Sequence, residues 1–115
     1  MSAADSMPVR HELLTAPLAG ESVERVKMLR VELAPGQAAG RHLHPCAVVG
    51  LVLTGSIRFQ AAGEPETMLT PGQAFHEPPG IEIPHFDTAS ATEPAAFLAC
   101  YLLAPGEDRL IEMLE

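Results

Sequence analysis

The sequence predicts an antiparallel all-β domain, and two observations lead to that prediction. Turn-forming prolines and glycines recur at intervals of about eight to twelve residues, which is the spacing typical of a β-sandwich or barrel. The segments between these turns are short and apolar, and few are long enough for an ordinary helix. A length of 115 residues suits one hydrophobic core, so we expect residues 1–115 to form a single domain.

The hydrophobic pattern predicts the strands in order. In Lys27–Leu33 apolar residues alternate with charged ones, as in a strand with one buried face. Ala47–Leu53 is almost continuously apolar, which indicates a strand covered on both faces. Ile57–Gln60 alternates again, and Gly55 between the two segments predicts a hairpin. The same pattern predicts four further strands: Thr67–Leu69, Ala74–His76, Ile81–Phe86 and Ala95–Leu103.

Only Asp108–Leu114 has a spacing that suits a helix, with Leu110, Ile111 and Leu114 on one side. Seven residues are too few for a helix that is stable alone. This segment is therefore expected to pack on the body of the domain or on a second subunit.

Composition and charge exclude several classes of function. The net charge of −8 opposes binding to a phosphate backbone, so no nucleic-acid partner is expected. No apolar run approaches the ~20 residues that span a bilayer, and the first residues do not resemble a secretory signal. Two cysteines are too few for a disulfide framework. These features predict a cytoplasmic protein with no membrane partner.

A pair of histidines indicates a metal site. His42 and His44 lie two residues apart, and side chains at that spacing share one face of an extended segment. Two parallel imidazoles can both reach one cation. His85 follows on a later apolar strand and is a candidate third ligand. Fe, Mn, Ni, Cu and Zn all suit such a set, and the sequence does not choose one divalent transition metal among them.

These residues fall within two motifs that resemble those of cupins. Gly36, His42, His44 and Gly55 are in register with the first cupin motif, and Gly72, Pro78 and Gly80 match the second. The resemblance implies a small single-domain cupin, an antiparallel double-stranded β-helix or jelly-roll barrel with little helix. Its core would cover about residues 25–103, with the N-terminal strands and the last residues at dimer contacts.

The chain departs from the cupin pattern at two ligand positions. Val48 stands where the family has a metal-binding glutamate, and there is no carboxylate from Arg41 to Gln60. A gap-free comparison places Ile83 at the position of the family histidine. A bulge or a longer turn would be needed to bring His85, two residues further on, into that place. Glu77, in the strand that enters the second motif, is the candidate replacement oxygen ligand.

Three functions remain open, because the fold that the resemblance implies hosts many unrelated activities. The first is a metalloenzyme, for which dioxygenase-like chemistry is one option, acting on a small, largely apolar molecule held in the barrel. The second is a non-catalytic protein that binds or senses such a molecule. The third is a metal-free structural or interaction module. The resemblance also implies a homodimer, which would cover exposed strand edges.

Overall fold

The computed structural model describes residues 7–115 and contains only β-strands as regular secondary structure in that part of the chain. The strands are, in chain order, β1 (Arg25–Leu33), β2 (His42–Leu43), β3 (Ala47–Thr54), β4 (Ile57–Gln60), β5 (Thr67–Leu69), β6 (Ala74–Glu77), β7 (His85–Thr88), β8 (Ala95–Leu103) and β9 (Glu112–Met113).

The strands form two antiparallel sheets and one short pair. The larger sheet has the order β1-β8-β3-β6, and the smaller has the order β5-β4-β7. β2 pairs only with β9. Except for β4 and β5, strands that are neighbours in a sheet are not consecutive in the chain, so most connections cross between the sheets. The predicted antiparallel all-β jelly roll is confirmed.

The core lies between the two sheets, and the chain's four phenylalanines form its centre. Phe75 and Phe97 come from the larger sheet, whereas Phe59 and Phe86 come from the smaller one. Their ring centroids lie 4.7 to 6.2 Å apart in tilted or edge-to-face contacts. Such pairs are favourable beyond the area they bury. The aromatic cluster therefore joins the two sheets, and it lies next to the part of the barrel that carries the histidines.

The predicted hairpin between β3 and β4 is wrong. β3 pairs with β6 and β8, whereas β4 pairs with β5 and β7. Gly55 turns the chain from one sheet to the other instead of folding it back on itself. It has a φ of 74°, and a Cβ there would lie 2.4 Å from the Pro94 carbonyl oxygen. The glycine signal was correct for a tight turn, but pattern alone does not distinguish a hairpin from a corner.

The predicted helix over Asp108–Leu114 is also wrong. The segment is extended, and its only regular element is β9. Leu110 packs against the hydrophobic core and Ile111 lines an interior cavity, while Met113 is 54% exposed. The expectation that the segment packs on the body of the domain is correct. No helix in the described part of the chain is long and apolar enough to cross a membrane.

The remaining predicted strands lie close to their observed positions, with one shift that affects the site. The segment predicted as Ile81–Phe86 becomes a strand only at His85. Ile83 forms an isolated bridge with His42, with backbone hydrogen bonds in both directions. Pro84 then separates this bridge from β7, since proline has no N–H to continue a ladder.

Candidate metal centre

His42, on β2, and His44, directly after that strand, lie together inside the barrel. His42 and His44 are 3% and 4% exposed, and their ring centroids are 4.9 Å apart. Leu43 between them is less buried, as the two-residue period of a strand requires. The Ile83 bridge holds the backbone of His42, and the His44 carbonyl accepts a hydrogen bond from the Gly80 amide at 2.9 Å.

Backbone carbonyls fix both imidazoles in the same tautomer. Nδ1 of His42 lies 2.6 Å from the Gly40 carbonyl oxygen, and Nδ1 of His44 lies 2.6 Å from the Leu110 carbonyl oxygen. A carbonyl oxygen only accepts hydrogen bonds, so each Nδ1 must carry the proton and donate it. In the neutral rings each Nε2 is then a free acceptor, and this arrangement is typical of histidines that bind metals.

Glu77 supplies a carboxylate beside these two nitrogen atoms. It lies on β6 directly opposite Val48 of β3, so both side chains point to the same interior face. Glu77 is only 3% exposed. The carboxylate that is missing from position 48 is thus present one strand away, at the paired position. This cross-strand replacement supports the choice of Glu77 as the candidate oxygen ligand.

The three groups lie close together but form no hydrogen bonds with one another. Glu77 Oε2 lies 2.7 Å from Nε2 of His44 and 3.6 Å from Nε2 of His42. The 2.7 Å contact lacks hydrogen-bond geometry, and Oε2 is a buried oxygen without a hydrogen-bond partner. Unpaired buried oxygens of this kind are rare in proteins, because each one loses its hydration without compensation. A positive charge between the three atoms would remove the conflict.

The pKa values of the cluster show the same electrostatic preference. Burial opposes ionisation of Glu77, but the two imidazoles outweigh it and lower the pKa of the carboxyl group below its ordinary value. Burial also opposes the charged form of His42, whereas Glu77 and the Gly40 carbonyl, with a contribution from Asp87, raise its pKa. The site therefore keeps an ionised carboxylate in the interior and attracts a cation or a proton.

The donor set fits a divalent transition metal. His42, His44 and Glu77 each offer one ligand atom, and these atoms lie within 4.8 Å of one another. Two imidazole nitrogens and one carboxylate oxygen form the set that non-haem iron and related ions use while leaving other positions open. This cluster is the one group of three such side chains in residues 7–115 that could hold a metal ion.

The structure does not bring His85 to this cluster. On β7 the neighbouring Phe86 and Thr88 are buried, so His85 and Asp87 lie on the other face of the strand. Nδ1 of His85 contacts Asp87 Oδ2 at 3.0 Å. Neither the bulge nor the longer turn that would return His85 to the family position occurs. Ile83 takes that place opposite His42 and is fully buried.

A cavity of about 100 Å³ adjoins the cluster. Apart from His42, His44 and Glu77, its lining is apolar except for the hydroxyl group of Tyr101. Tyr101 pairs with Val48 across β8 and β3, which places its side chain on the same interior face as Glu77. Its ring centroid lies 5.7 Å from that of His44. Burial, together with the charges of Glu77 and Cys46, raises the pKa of Tyr101, so its hydroxyl group keeps its proton.

Two groups that support the site could not be identified from the sequence, because they are backbone carbonyl groups and not ligand-type side chains. The carbonyl groups of Gly40 and Leu110 orient the histidines, but any residue carries a carbonyl group. Of the two residues, only Gly40 is recognisable in the sequence, since a glycine there permits the positive φ of 86°. Leu110 is 66 positions from His44 in the chain, and only the fold brings them together.

Comparison with known proteins gives a consistent result for the fold. A family model described as a cupin domain matches residues 29–101. No curated protein matches the sequence significantly. The structure is similar to a cupin-like protein from Thermotoga maritima, with 22% identity, a TM-score of 0.64, and coverage of 77% of this chain and 64% of that one.

Two similar structures are enzymes. One is a DMSP lyase from Ruegeria pomeroyi, with 20% identity, a TM-score of 0.64, and coverage of 76% of this chain and 42% of that one. The other is an oxalate oxidase in complex with the substrate analogue glycolate, with 24% identity, a TM-score of 0.62, and coverage of 77% and 46%. This chain spans less than two thirds of each of the three proteins, and identities this low support a common fold only.

Proposed function

The chain belongs to the cupin domain family, and we propose that it is a metal-dependent cupin in which His42, His44 and Glu77 hold one divalent transition metal ion. The metal would bind or activate a small, largely apolar molecule in the adjoining cavity. His85 is left out of the proposed ligand set because it lies on the other face of β7.

One observation carries the proposal: three hydrogen-bond acceptors converge in the interior with no donor between them. Both Nδ1 protons are used by backbone carbonyls, and Glu77 Oε2 has no hydrogen-bond partner. A proton on one Nε2 would satisfy only one contact. A metal ion would satisfy all three acceptors at once, and it would offset the desolvation of the carboxylate.

Charge and shape define the ligand class. Two neutral imidazoles and one carboxylate around a divalent ion leave a net charge of +1, which favours a ligand with one negative charge. The apolar walls of the cavity favour a short hydrocarbon body, and the protonated Tyr101 can donate a hydrogen bond to the ligand's oxygen atom. The similar oxalate oxidase holds glycolate, which is a small anion with oxygen donors. When bound, the metal would supply Lewis-acid polarisation and open coordination positions.

Oxygenase chemistry is the first activity to test, since two histidines and one carboxylate with open positions are typical of non-haem iron oxygenases. The protein's own contribution would be to bind and orient the substrate through the apolar walls and Tyr101, and to exclude water from the cavity. Oxygen uptake by iron-loaded protein with thiols, β-diketones and catechols would measure this activity.

The second candidate is a non-catalytic binding protein. In the described residues, Tyr101 is the one ionisable group of the cavity lining that is not also a proposed ligand. The cavity therefore offers little for acid–base catalysis. Metal and ligand binding without oxygen uptake or turnover would favour this candidate over the oxygenase.

Metal analysis decides between these proposals and a metal-free module. Cobalt(II) added to metal-free protein is expected to bind at about one equivalent and to develop a visible absorption spectrum. His42→Ala with His44→Ala should abolish binding, whereas His85→Ala, a matched histidine control, should leave it unchanged. Binding that survives the double substitution, or that His85→Ala removes, would contradict the proposed ligand set. No binding to the unaltered protein would leave the metal-free structural or interaction module.

We further propose a homodimer. β1 is an edge strand of the larger sheet, and its Val26 and Met28 side chains are 60% and 62% exposed. Pairing of β1 with β1 of a second copy would cover both exposed strand edges, and proteins commonly protect their edge strands in such ways. Light scattering is expected to give twice the mass of one chain at micromolar concentration, and a monomeric mass would overturn this proposal. A cytoplasmic location, and the absence of nucleic-acid and membrane partners, stay predictions from composition.

A further inference from the structure

A single segment, residues 107–115, crosses the mouth of the barrel beside the histidines; we name it the closing segment. A turn at Ala104 to Gly106 redirects the chain after β8. The segment then runs past the cavity and pairs with β2, where Met113 lies opposite His42. The Leu114 amide donates a further hydrogen bond to the Arg41 carbonyl oxygen at 2.9 Å.

The closing segment contacts the supports of both histidines. It provides the Leu110 carbonyl oxygen, which accepts the Nδ1 proton of His44. Met113 lies against Gly40, whose carbonyl oxygen accepts the Nδ1 proton of His42. A Cβ on Gly40 would come within 2.9 Å of Met113 Cε, so this contact is close. The segment thus supplies the acceptor for one of these two hydrogen bonds and packs against the residue that supplies the other.

Ile111 of the same segment is part of the cavity wall. It lines the space next to the histidines, yet 43% of it is exposed. A residue that touches both the cavity and the solvent stands at the entrance. Its neighbours in the lining from β3, β6 and β8 are held in the four-stranded sheet, whereas Ile111 lies just before the two-residue strand β9.

Two arginines hold the ends of the closing segment. Arg25 donates hydrogen bonds to the Glu107 carbonyl oxygen at 2.6 Å and to Asp108 Oδ1 at 3.3 Å. Arg41 donates to the Glu115 carbonyl oxygen and to Glu82 Oε1, each at 2.7 Å. Both guanidinium groups are partly exposed, so these bonds can be removed without opening a hole in the core.

We propose that the closing segment positions the metal ligands and sets the size of the ligand, with Leu110 orienting His44 and Ile111 limiting the length of the molecule that enters. This inference rests on the proposed metal centre. The role of Leu110 is carried by its backbone carbonyl group, so it is tested through the arginines that hold the segment. The role of Ile111 is carried by its side chain and can be tested directly.

The positioning role is tested on the full chain with Arg25→Ala plus Arg41→Ala. Loss of the hydrogen-bonding support of a metal-binding histidine commonly lowers metal affinity about tenfold or more, and we expect such a loss for cobalt(II). The matched control is Arg30→Ala plus Arg58→Ala, which removes two other exposed arginines that pair with Glu32 and Glu66. It should keep the affinity of the unaltered protein.

A metal-free measurement accompanies the titration. Nitrogen-15 NMR of the imidazole rings should show His44 with its proton on Nδ1 in the unaltered protein and in the control. In the Arg25→Ala, Arg41→Ala protein we expect a mixture of Nδ1-H and Nε2-H forms. A general loss of stability would not change the tautomer of the folded population, so this measurement separates positioning from a structural effect.

The size limit is tested by Ile111→Ala in the cobalt(II)-loaded protein with acetate, butyrate and hexanoate as probes. Excess chain length costs about tenfold in affinity when the added methylene groups do not fit, so hexanoate should bind the unaltered protein about tenfold more weakly than butyrate. Ile111→Ala should remove this difference and leave cobalt(II) affinity unchanged. Ile81→Ala is the matched control, since Ile81 is 38% exposed and lies outside this cavity.

The outcomes separate the two proposals. If the unaltered protein does not bind cobalt(II), the metal centre itself fails and this inference fails with it. If cobalt(II) binds and the arginine pair behaves like its control in both affinity and tautomer, the positioning role is overturned while the metal centre stands. If hexanoate and butyrate keep the same affinity ratio after Ile111→Ala, the size limit is overturned.

Discussion

The carboxylate and the two imidazoles of the candidate centre are held by very different parts of the molecule. Glu77 lies on β6, which pairs with β3 at the edge of the four-stranded sheet, and it is paired there with Val48. His42 and His44 lie on or beside a strand of two residues, which is held by the equally short β9 and by the Ile83 bridge. We call these parts the rigid wall, formed by β3, β6 and β8, and the histidine edge, formed by β2, β9 and the Ile83 bridge.

The difference suggests a division of roles. The rigid wall fixes the negative charge in the interior, because moving Glu77 would break the pairing of β6 with β3. The histidine edge can adjust, because few hydrogen bonds hold it and some come from the closing segment. Local stability in proteins follows such differences in contact density and hydrogen bonding. A metal ion that joins the two parts would therefore stabilise the edge much more than the wall.

The largest expected effect is on amide hydrogen exchange. Amides in the middle of β3 and β8 should exchange only on global unfolding, whereas the amides of His42 and Leu114 should exchange through local opening. We expect a difference in protection on the order of a thousandfold between the two sets. Equal protection would contradict the division between wall and edge. Cobalt(II) should slow exchange at the edge and leave the ratio among amides of the wall unchanged.

Gly50→Ala should break the rigid wall. Gly50 lies on β3 opposite Phe75, and a Cβ there would lie 2.3 Å from both the Phe75 ring and the Leu98 carbonyl oxygen. The backbone oxygen cannot move aside, so we expect a loss of about 3 kcal/mol in the free energy of unfolding, measured in urea. Val49→Ala, the neighbouring outward position, should lose about 1 kcal/mol. A smaller loss for Gly50→Ala than for Val49→Ala would show that the wall yields easily.

Replacing the carboxylate should remove the metal but preserve the fold. Glu77→Gln keeps the shape of the side chain and removes its charge, so cobalt(II) affinity should fall by at least about 100-fold, more than the loss of a supporting hydrogen bond would cause. Glu77→Val with Val48→Glu moves the carboxylate to the paired position of the wall. This double variant should recover at least about tenfold over Glu77→Val alone. No recovery would mean that the position of the carboxylate, beyond its presence on this face, is essential.

The fold, the shared face of His42 and His44, and the missing carboxylate at Val48 could be predicted from the sequence. Strands such as β5 and β8 are set by local hydrophobic period, and their observed bounds equal the predicted ones. His42 and His44 share a face because a period of two residues is a property of any strand. The absence of a carboxylate near Val48 was also visible in the sequence, and the cupin resemblance gave it meaning.

The rest depended on contacts between distant parts of the chain. Nothing local distinguishes the corner at Gly55 from a hairpin, because the pairing of β3 with β8 and of β4 with β7 decides it. The register that places Glu77 opposite Val48 is a property of the sheet. His85 was a candidate because it is a histidine on a later apolar strand, but Pro84 and the Ile83 bridge set the start of β7 and with it the face on which His85 lies.

The smallest expected effect concerns Tyr101, which lies on the rigid wall beside Val48 and faces the cavity. If its hydroxyl group donates to a bound anion, Tyr101→Phe should weaken binding of butyrate to the cobalt(II)-loaded protein about fivefold, the value of one hydrogen bond. Cobalt(II) affinity should not change, because the ring that packs 5.7 Å from His44 is kept. Unchanged butyrate binding would reduce Tyr101 to a packing residue. In that case the wall would contribute only Glu77 to the chemistry, and ligand recognition would depend on the metal and the apolar lining.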